Sequence, residues 1–499
     1  MRRSLFAILI VLHLVPIWSF DYFLTQDGPI HLANTWTFFR LDAPDHAVFS
    51  EYYVRNLLPA PNWLTQWLLA GMLPWLSPAI AEKVIASGFL LLLPLSLRYA
   101  LEAVRPSAGF LALLGFPLVF TWFLNMGLYN FCYGISIHFL VVGYWLRKRD
   151  SLDPKAISVL ALGFVVLYFT HIFAVLAAGL TIFIVSIGEF ELAWRRWCTT
   201  AVAVLPAVAL VIVFVLGKQG RVGPPVLEGD VIRERAGAML LFEPLVSFRA
   251  EEGWAYALFA LLLFATYVAL CVRRFFDLAN MSRAVVVLPC VFGFLCLVMP
   301  GWALDGSFVS ERLMYTAALC VILALGVHDF TNAQRLAVEV IVSLFAVVFV
   351  GFQYSSLATA NRGLAEELSC GSYLEPGATL LPVPMTPHHR HDLFEHISNY
   401  WVMEHGIVNL GNFSAYRGNH PLLFREKFAP VPSIGCPECE PAVVEIDRYL
   451  ATQQGRVDYV FAQGIDLTER LGTNYRSVCK SAPNGRAELF KRVTALPAR

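Results

Sequence analysis

Apolar stretches of roughly 16 to 22 residues recur along this chain, separated by short polar segments. They do not alternate with the period of two that a half-buried strand requires, and their length suits a helix crossing a bilayer. The pattern predicts eleven spans, at 4–20, 84–104, 108–124, 130–146, 156–171, 173–189, 199–217, 253–272, 284–300, 313–328 and 335–353. One more apolar run, from Asn62 to Ser77, resembles a span but is short and interrupted by Pro74. Its Trp63, Trp67 and Trp75 suit the headgroup level. It reads as a helix lying along the outer interface, because a span here would invert every loop that follows. The start places Arg2 and Arg3 ahead of an apolar helix with no small-x-small cleavage site. That reads as a retained signal-anchor with its N-terminus inside.

Composition agrees with lipid as the main solvent. Hydrophobic residues make up 57% of the 499 and charged residues 15%, with mean hydropathy +0.60, whereas soluble domains carry about 25% charged residues. Lys and Arg balance Asp and Glu at 37 each, so nothing points to a nucleic-acid partner. Where the cations fall matters more than their number. In the eleven-span arrangement Arg98, Arg105, Arg147, Lys148, Arg149, Lys155, Arg195, Arg196, Arg273, Arg274, Arg283 and Arg335 lie at the inner ends, while the outer turns near 125–129 and 172 hold none.

Past residue 354 the chain changes character, with 29 charged side chains in the remaining 145 residues. Short β-like runs appear at Ala378 to Val383 and Val457 to Ala462, with a helical stretch over 442–453. The fold class expected is mainly α: a polytopic transmembrane domain over 1–354, with a small α/β domain over 355–499. The first outer loop, 21–81, carries the interfacial helices, and the odd number of spans places the C-terminal domain outside.

Six cysteines, at 132, 198, 271, 290, 296 and 320, lie in or beside predicted spans and read as packing residues. The other four are Cys370, Cys436, Cys439 and Cys479. In an oxidising compartment they suggest two disulfides, Cys436 with Cys439 and Cys370 with Cys479. Zinc is the alternative, since His388, His389, His391, His396 and His405 share this tail.

The candidate chemistry starts at Asp27, where the first span gives way to a second helix. Gly28 and Pro29 follow it, a helix-start pattern in which Asp is a favoured N-cap. A cap needs no histidine, however, and His31 one turn on can face the same side. A carboxylate bonded to an imidazole at the membrane surface can act as a general base. Arg312, at the outer entry of the tenth span, suits a phosphate, or else pairs with Glu311 or Asp305. The loop 218–252 adds Arg221 as a second phosphate candidate among Lys218, Arg233, Arg235 and Arg249. His171 ends a span and can line a cavity beside Asp27. Asn125 and Asn130 flank an outer turn, where they bond either sugar hydroxyls or turn backbone. His396 reads as structural.

The runs Asp27-Gly28-Pro29-Ile30-His31 and Leu58-Pro59-Ala60-Pro61-Asn62-Trp63 together resemble the first outer loop of GT-C glycosyltransferases. Asn125 to Phe131 and Tyr168 to His171 are also similar to segments of that superfamily. The resemblance implies a bacterial inner-membrane enzyme that moves a sugar from a polyprenyl-phosphate donor to an extracytoplasmic acceptor. The first-loop acid, here Asp27, would deprotonate the acceptor. Many members carry paired acids at this point, whereas Asp27 is followed by Gly28 and the nearest acid, Asp21, lies six residues back. No bound metal or other cofactor is therefore expected. The competing classes are a transporter or flippase of lipid-linked sugar, which would show repeats or broken midplane helices, and a non-enzymatic envelope scaffold. The enzymatic reading requires Asp27, His31, His171 and Arg312 to meet in one cavity.

Overall fold

The computed structural model describes residues 3–188, 194–218, 229–303, 306–384, 392–417, 420–425, 446, 449–451, 456–481 and 487–493. Helices dominate it. After α1 (Arg3–Trp18) the chain forms α2 (Gly28–Arg40), a short strand β1 (Tyr53–Arg55) and α3 (Leu64–Met72). At about 1.5 Å per residue the nine residues of α3 cover roughly 14 Å, half of a hydrocarbon core. That length fits a helix lying in the interface. Trp67 on it and Trp75 just past it are exposed.

The bundle proper follows with α4 (Pro78–Val104), α5 (Tyr129–Lys148), α6 (Pro154–Thr170), α7 (Ile172–Gly188) and α8 (Trp194–Lys218). It continues through α9 (Gly229–Leu240), α10 (Ala250–Tyr267), α11 (Asn280–Val298), α12 (Val309–Leu325) and α13 (Asn332–Leu368). Several starts are written locally. Ser77 accepts from the Ile80 amide with Pro78 in the first turn, and Asp153 accepts from Ala156 at 2.7 Å ahead of Pro154. Thr331 and Gln334 form a reciprocal capping box at the head of α13. Five helices, within 78–104, 196–217, 250–272, 280–298 and 332–373, are long and apolar enough to cross a membrane; four more apolar helices are shorter.

The stretch expected to span at 108–124 takes another form. Pro106–Leu118 winds as a 3₁₀ helix, broken from the short helix Trp122–Asn125 by Val119, Phe120 and Thr121. The 3₁₀ rise of about 2.0 Å lets its thirteen residues cover roughly 26 Å. Every residue from Ala108 to Leu118 is buried against neighbouring helices. Gly115, where a Cβ would meet Leu97 at 2.8 Å, permits the close approach to α4.

Arg105 and Arg147 stand at the C-terminal ends of α4 and α5, and Arg196 in the first turn of α8. Arg147 donates to the Tyr99 carbonyl at 2.8 Å, Arg196 pairs with Asp150 at 2.6 Å, and Arg105 reaches the Val327 carbonyl at 2.5 Å.

Helix α13 runs through residue 354 without a break, so the chain enters its C-terminal part as one continuous rod. There β2 (Thr379–Pro384), β3 (Val408–Asn409), β5 (Tyr459–Gln463), β6 (Tyr475–Lys480) and β7 (Ala487–Arg492) form a mixed sheet of order β3-β2-β5-β7-β6. β2 lies parallel to β3 and β5, and β7 runs antiparallel between β5 and β6. β4 (Leu422–Phe424) pairs instead with β1 in the first loop, Tyr53 opposite Phe424. The helix expected over 442–453 lies mostly outside the described residues, as do Cys436, Cys439 and the run 385–391.

Cys370, just past α13, is bonded to Cys479 on β6, the pairing expected from the sequence. The link closes a separation of 109 residues, and loops of that size restrict the unfolded chain by several kcal/mol. The double variant Cys370→Ser, Cys479→Ser should lose about 2–5 kcal/mol of stability. Thermal unfolding of the purified protein, with and without reductant, checks this: the reductant should lower the melting temperature of the parent but not of the variant.

Candidate active site

Two loops meet backbone to backbone to present Asp27. The Gln26 amide donates to the Asn125 carbonyl at 3.1 Å and the Asp27 amide to Met126 at 3.0 Å. Such proximity needs small residues. A Cβ on Gly127, whose φ is +78°, would lie 2.8 Å from the Gly28 nitrogen, and one on Gly28 would strike Glu82. Behind this contact Glu82 is buried and accepts from Thr25 Oγ1 (2.9 Å), Tyr129 (2.6 Å) and Tyr400 (3.2 Å). One carboxylate thus joins the first loop, α4, α5 and the C-terminal region. Sequence reasoning passed over Glu82, because an acid beside Lys83 at the start of an apolar run looks like a headgroup pair.

Asp27 stands at the N-cap position but does not cap. Its backbone is helical (φ −91°, ψ −10°) and its side chain makes no capping bond. Thr25 Oγ1 takes the Gly28 amide instead, at 3.2 Å. The carboxylate faces His396, whose Nε2 lies 3.5 Å from Asp27 Oδ1. The imidazole recorded beside Asp27 therefore comes from the C-terminal region, not from one helical turn away. His31 approaches Gln66 through Nδ1 at 3.4 Å, and its ring lies 5.5 Å from that of His420. Burial pushes the His31 imidazole down to about 4, more strongly than its bond to the Gly127 backbone raises it. His31 is neutral at pH 7.

Asp27 and His31 open into a cavity of about 600 Å³ that also reaches Asn130, His171 and Arg312. Arg312 is buried, with its guanidinium 5.3 Å from the centre of the Phe131 ring. Its Nε has no hydrogen-bond partner, and no carboxylate among the described residues forms an ion pair with it. Glu311 instead accepts from Ser310 at 2.9 Å. His171 Nδ1 accepts from the Phe173 amide at 3.1 Å, which leaves the ring proton of a neutral imidazole on Nε2. Arg312 is the one Arg or Lys among the described lining residues. Past these polar groups the wall turns apolar, with Leu176, Leu180, Phe214, Phe292 and Leu295.

The two asparagines do different work. Asn125 lies behind the cavity wall, bonded to Ser247 at 2.8 Å and Gln353 at 2.8 Å, where it anchors the loop that receives Gln26. Asn130 lines the cavity, yet its amide accepts from the Thr65 backbone at 3.0 Å and donates to the Asn62 carbonyl at 2.9 Å, tying α3 to α5. Arg221 lies outside the described residues. Arg235 closes the end of α11, donating to the Met299 carbonyl at 2.6 Å, and Arg233 pairs with Asp230 on the surface. No three His, Cys, Asp or Glu side chains among the described residues are grouped to hold a metal ion.

The C-terminal region completes the enclosure through Pro382, Pro384, Glu395, His396, Gly411 and Phe413. Glu395 accepts from Gln26 Nε2, and burial first, then Asp392, pushes its carboxyl up to about 7. No local signal marks Glu395 and His396, which stand at the end of a histidine-rich run.

These features define a polytopic membrane protein with an acid, an arginine and several imidazoles in one partly apolar cavity. No protein-family model matches the sequence, and no curated protein matches it. Solved structures do. The chain overlays on ArnT from Cupriavidus metallidurans bound to undecaprenyl phosphate with a TM-score of 0.58 and 12% identity, covering 99% of this chain and 98% of that one. The apo state of the same protein gives 0.58 and 12%, covering 98% and 97%. The chain thus shares the fold of that protein over nearly its whole length.

Proposed function

We propose that the chain is a membrane glycosyltransferase that moves a sugar from a polyprenyl-phosphate donor to an acceptor hydroxyl on the outer side of the membrane. The observation that carries this reading is that Asp27, His31, His171 and Arg312 all line one cavity. Its apolar wall suits a lipid chain, and Arg312 with His171 suits the phosphate that leaves with that chain. The fold it shares with a protein whose structure holds undecaprenyl phosphate supports the lipid class. In this reading Asp27 takes the acceptor proton as the oxygen attacks the anomeric carbon. Neutral His31 orients a hydroxyl, and the electron pair of the broken bond stays on the phosphate held by Arg312.

The chain crosses the membrane eleven times in this proposal. Its N-terminus and the helix ends that carry Arg105, Arg147 and Arg196 are cytoplasmic, and the cavity and C-terminal sheet are outside. The test uses purified protein in proteoliposomes supplied with undecaprenyl-phosphate-linked sugars, each labelled in the sugar. Release of undecaprenyl phosphate coupled to transfer of label is the expected result. Movement of intact donor across the bilayer without cleavage would mean a flippase instead.

A further inference from the structure

A base buried in a cavity has to lose its proton before it can act again. The side chain of Asp27 is 12% exposed, and the imidazole beside it belongs to a segment that joins β2 to the short helix Tyr400–His405. His396 Nε2 lies 3.5 Å from Asp27 Oδ1 and 3.7 Å from Glu395 Oε1, so one nitrogen stands between two carboxylates. Gln26, the neighbour of Asp27, grips this segment at two points. Its amide nitrogen donates to Glu395, and its oxygen accepts from the Asp392 amide at 3.0 Å. Phe413 lies against the His396 ring, with centroids 5.0 Å apart. Asp27, Glu395 and His396 all line the cavity. Separations slightly beyond hydrogen-bond length are usual for catalytic groups before substrate arrives.

We propose that His396 and Glu395 are the exit route for the proton that Asp27 takes from the acceptor. The inference rests on Asp27 being the general base. As the acceptor oxygen bonds to the anomeric carbon, its proton moves to the Asp27 carboxylate and the carbon–oxygen bond to the phosphate breaks. The Asp27 carboxylic acid then passes that proton to Nε2 of neutral His396. The resulting imidazolium gives it from the same nitrogen to the Glu395 carboxylate, which releases it to water.

The surroundings suit each transfer. Among the described residues, the charged and titratable groups facing His396 are Asp27 and His31 from the start of α2, with Asp392 and Glu395 from its own segment. Burial lowers the His396 imidazole more than Asp27 and Asp392 raise it, so it starts neutral and able to accept. His31, also neutral, adds no competing charge. Glu395, held near neutrality at about 7, both takes and yields a proton at working pH.

Two measurements on the full-length protein in nanodiscs and proteoliposomes test this. The first follows the His396 imidazole by NMR as pH is varied, in the parent and in Asp27→Asn. Loss of the neighbouring carboxylate should lower the His396 midpoint by about one unit. An unmoved midpoint overturns the proposal whatever reaction the protein performs. The second compares undecaprenyl phosphate release by the parent, His396→Gln and Glu395→Gln. Each variant should lose about tenfold or more in kcat with an unchanged donor KM. Imidazole added to His396→Ala should restore part of the rate, which a purely structural histidine would not allow. A His396→Gln protein with the parent's kcat and pH profile also overturns the proposal. If Asp27→Asn keeps full turnover, the assignment of the base has failed, and the exit route with it. If the parent cleaves no donor at all, the transfer reading has failed, and the exit route with it.

Discussion

Asp27→Asn should lose transfer by between about 10² and 10⁴-fold, the usual contribution of a positioned general base, while still binding undecaprenyl phosphate. The substitution keeps the shape of the side chain and removes its capacity to accept a proton. It should also fold, because Asp27 makes no side-chain cap and Thr25 holds the Gly28 amide in its place. The loop is fixed by backbone bonds from Gln26 and Asp27 to Asn125 and Met126, which the substitution leaves alone. Initial rates of donor cleavage, set beside a binding isotherm for undecaprenyl phosphate, check the two halves of this prediction. Full activity in Asp27→Asn would remove Asp27 from the mechanism. Loss of lipid binding together with activity would assign it to the donor phosphate instead.

Arg312→Gln should separate stability from binding in opposite directions. A buried guanidinium with an unpartnered Nε and no pairing carboxylate among the described residues is costly to the empty protein. Glutamine removes that buried charge, so the melting temperature without lipid should hold or rise. A hydrogen bond to a charged partner contributes about 1.5–3 kcal/mol, which corresponds to a loss of roughly ten- to over a hundredfold in undecaprenyl phosphate affinity. Lipid titrations and thermal unfolding of the same preparations measure both. A drop in melting temperature with unchanged affinity would make Arg312 a structural residue held by Phe131.

Much of the architecture can be read from apolar length alone. Helices stand at every predicted span except 108–124, and the strands at 379–384 and 459–463 fall where short β-branched runs stood. The exception has a physical cause. Apolar length says that a segment is buried, but not whether it winds with 3.6 or three residues per turn. In the 3₁₀ form Ala108 to Leu118 is buried, and Gly115 lies close against α4. The boundary at 354 marks where composition changes, yet α13 continues to Leu368 because helix propensity persists after hydropathy falls.

The candidate site divides along a similar line. The sequence by itself determined that this is a membrane protein with an acid where its first helix ends and an arginine at the head of a later one. Those features are local, since each depends on residue type and on the nearest apolar run. The tertiary structure alone decided that Asp27 does not cap and that Asn125 braces a loop. It also decided that the imidazole beside Asp27 is that of His396, brought by the far end of the chain, and that Glu82 accepts from three hydroxyls on separate elements. Contacts of that kind arise when the C-terminal region docks on the first loop, where β4 pairs with β1. No periodicity in the chain encodes them, because burial drives the docking and burial is indifferent to the order of residues along the chain.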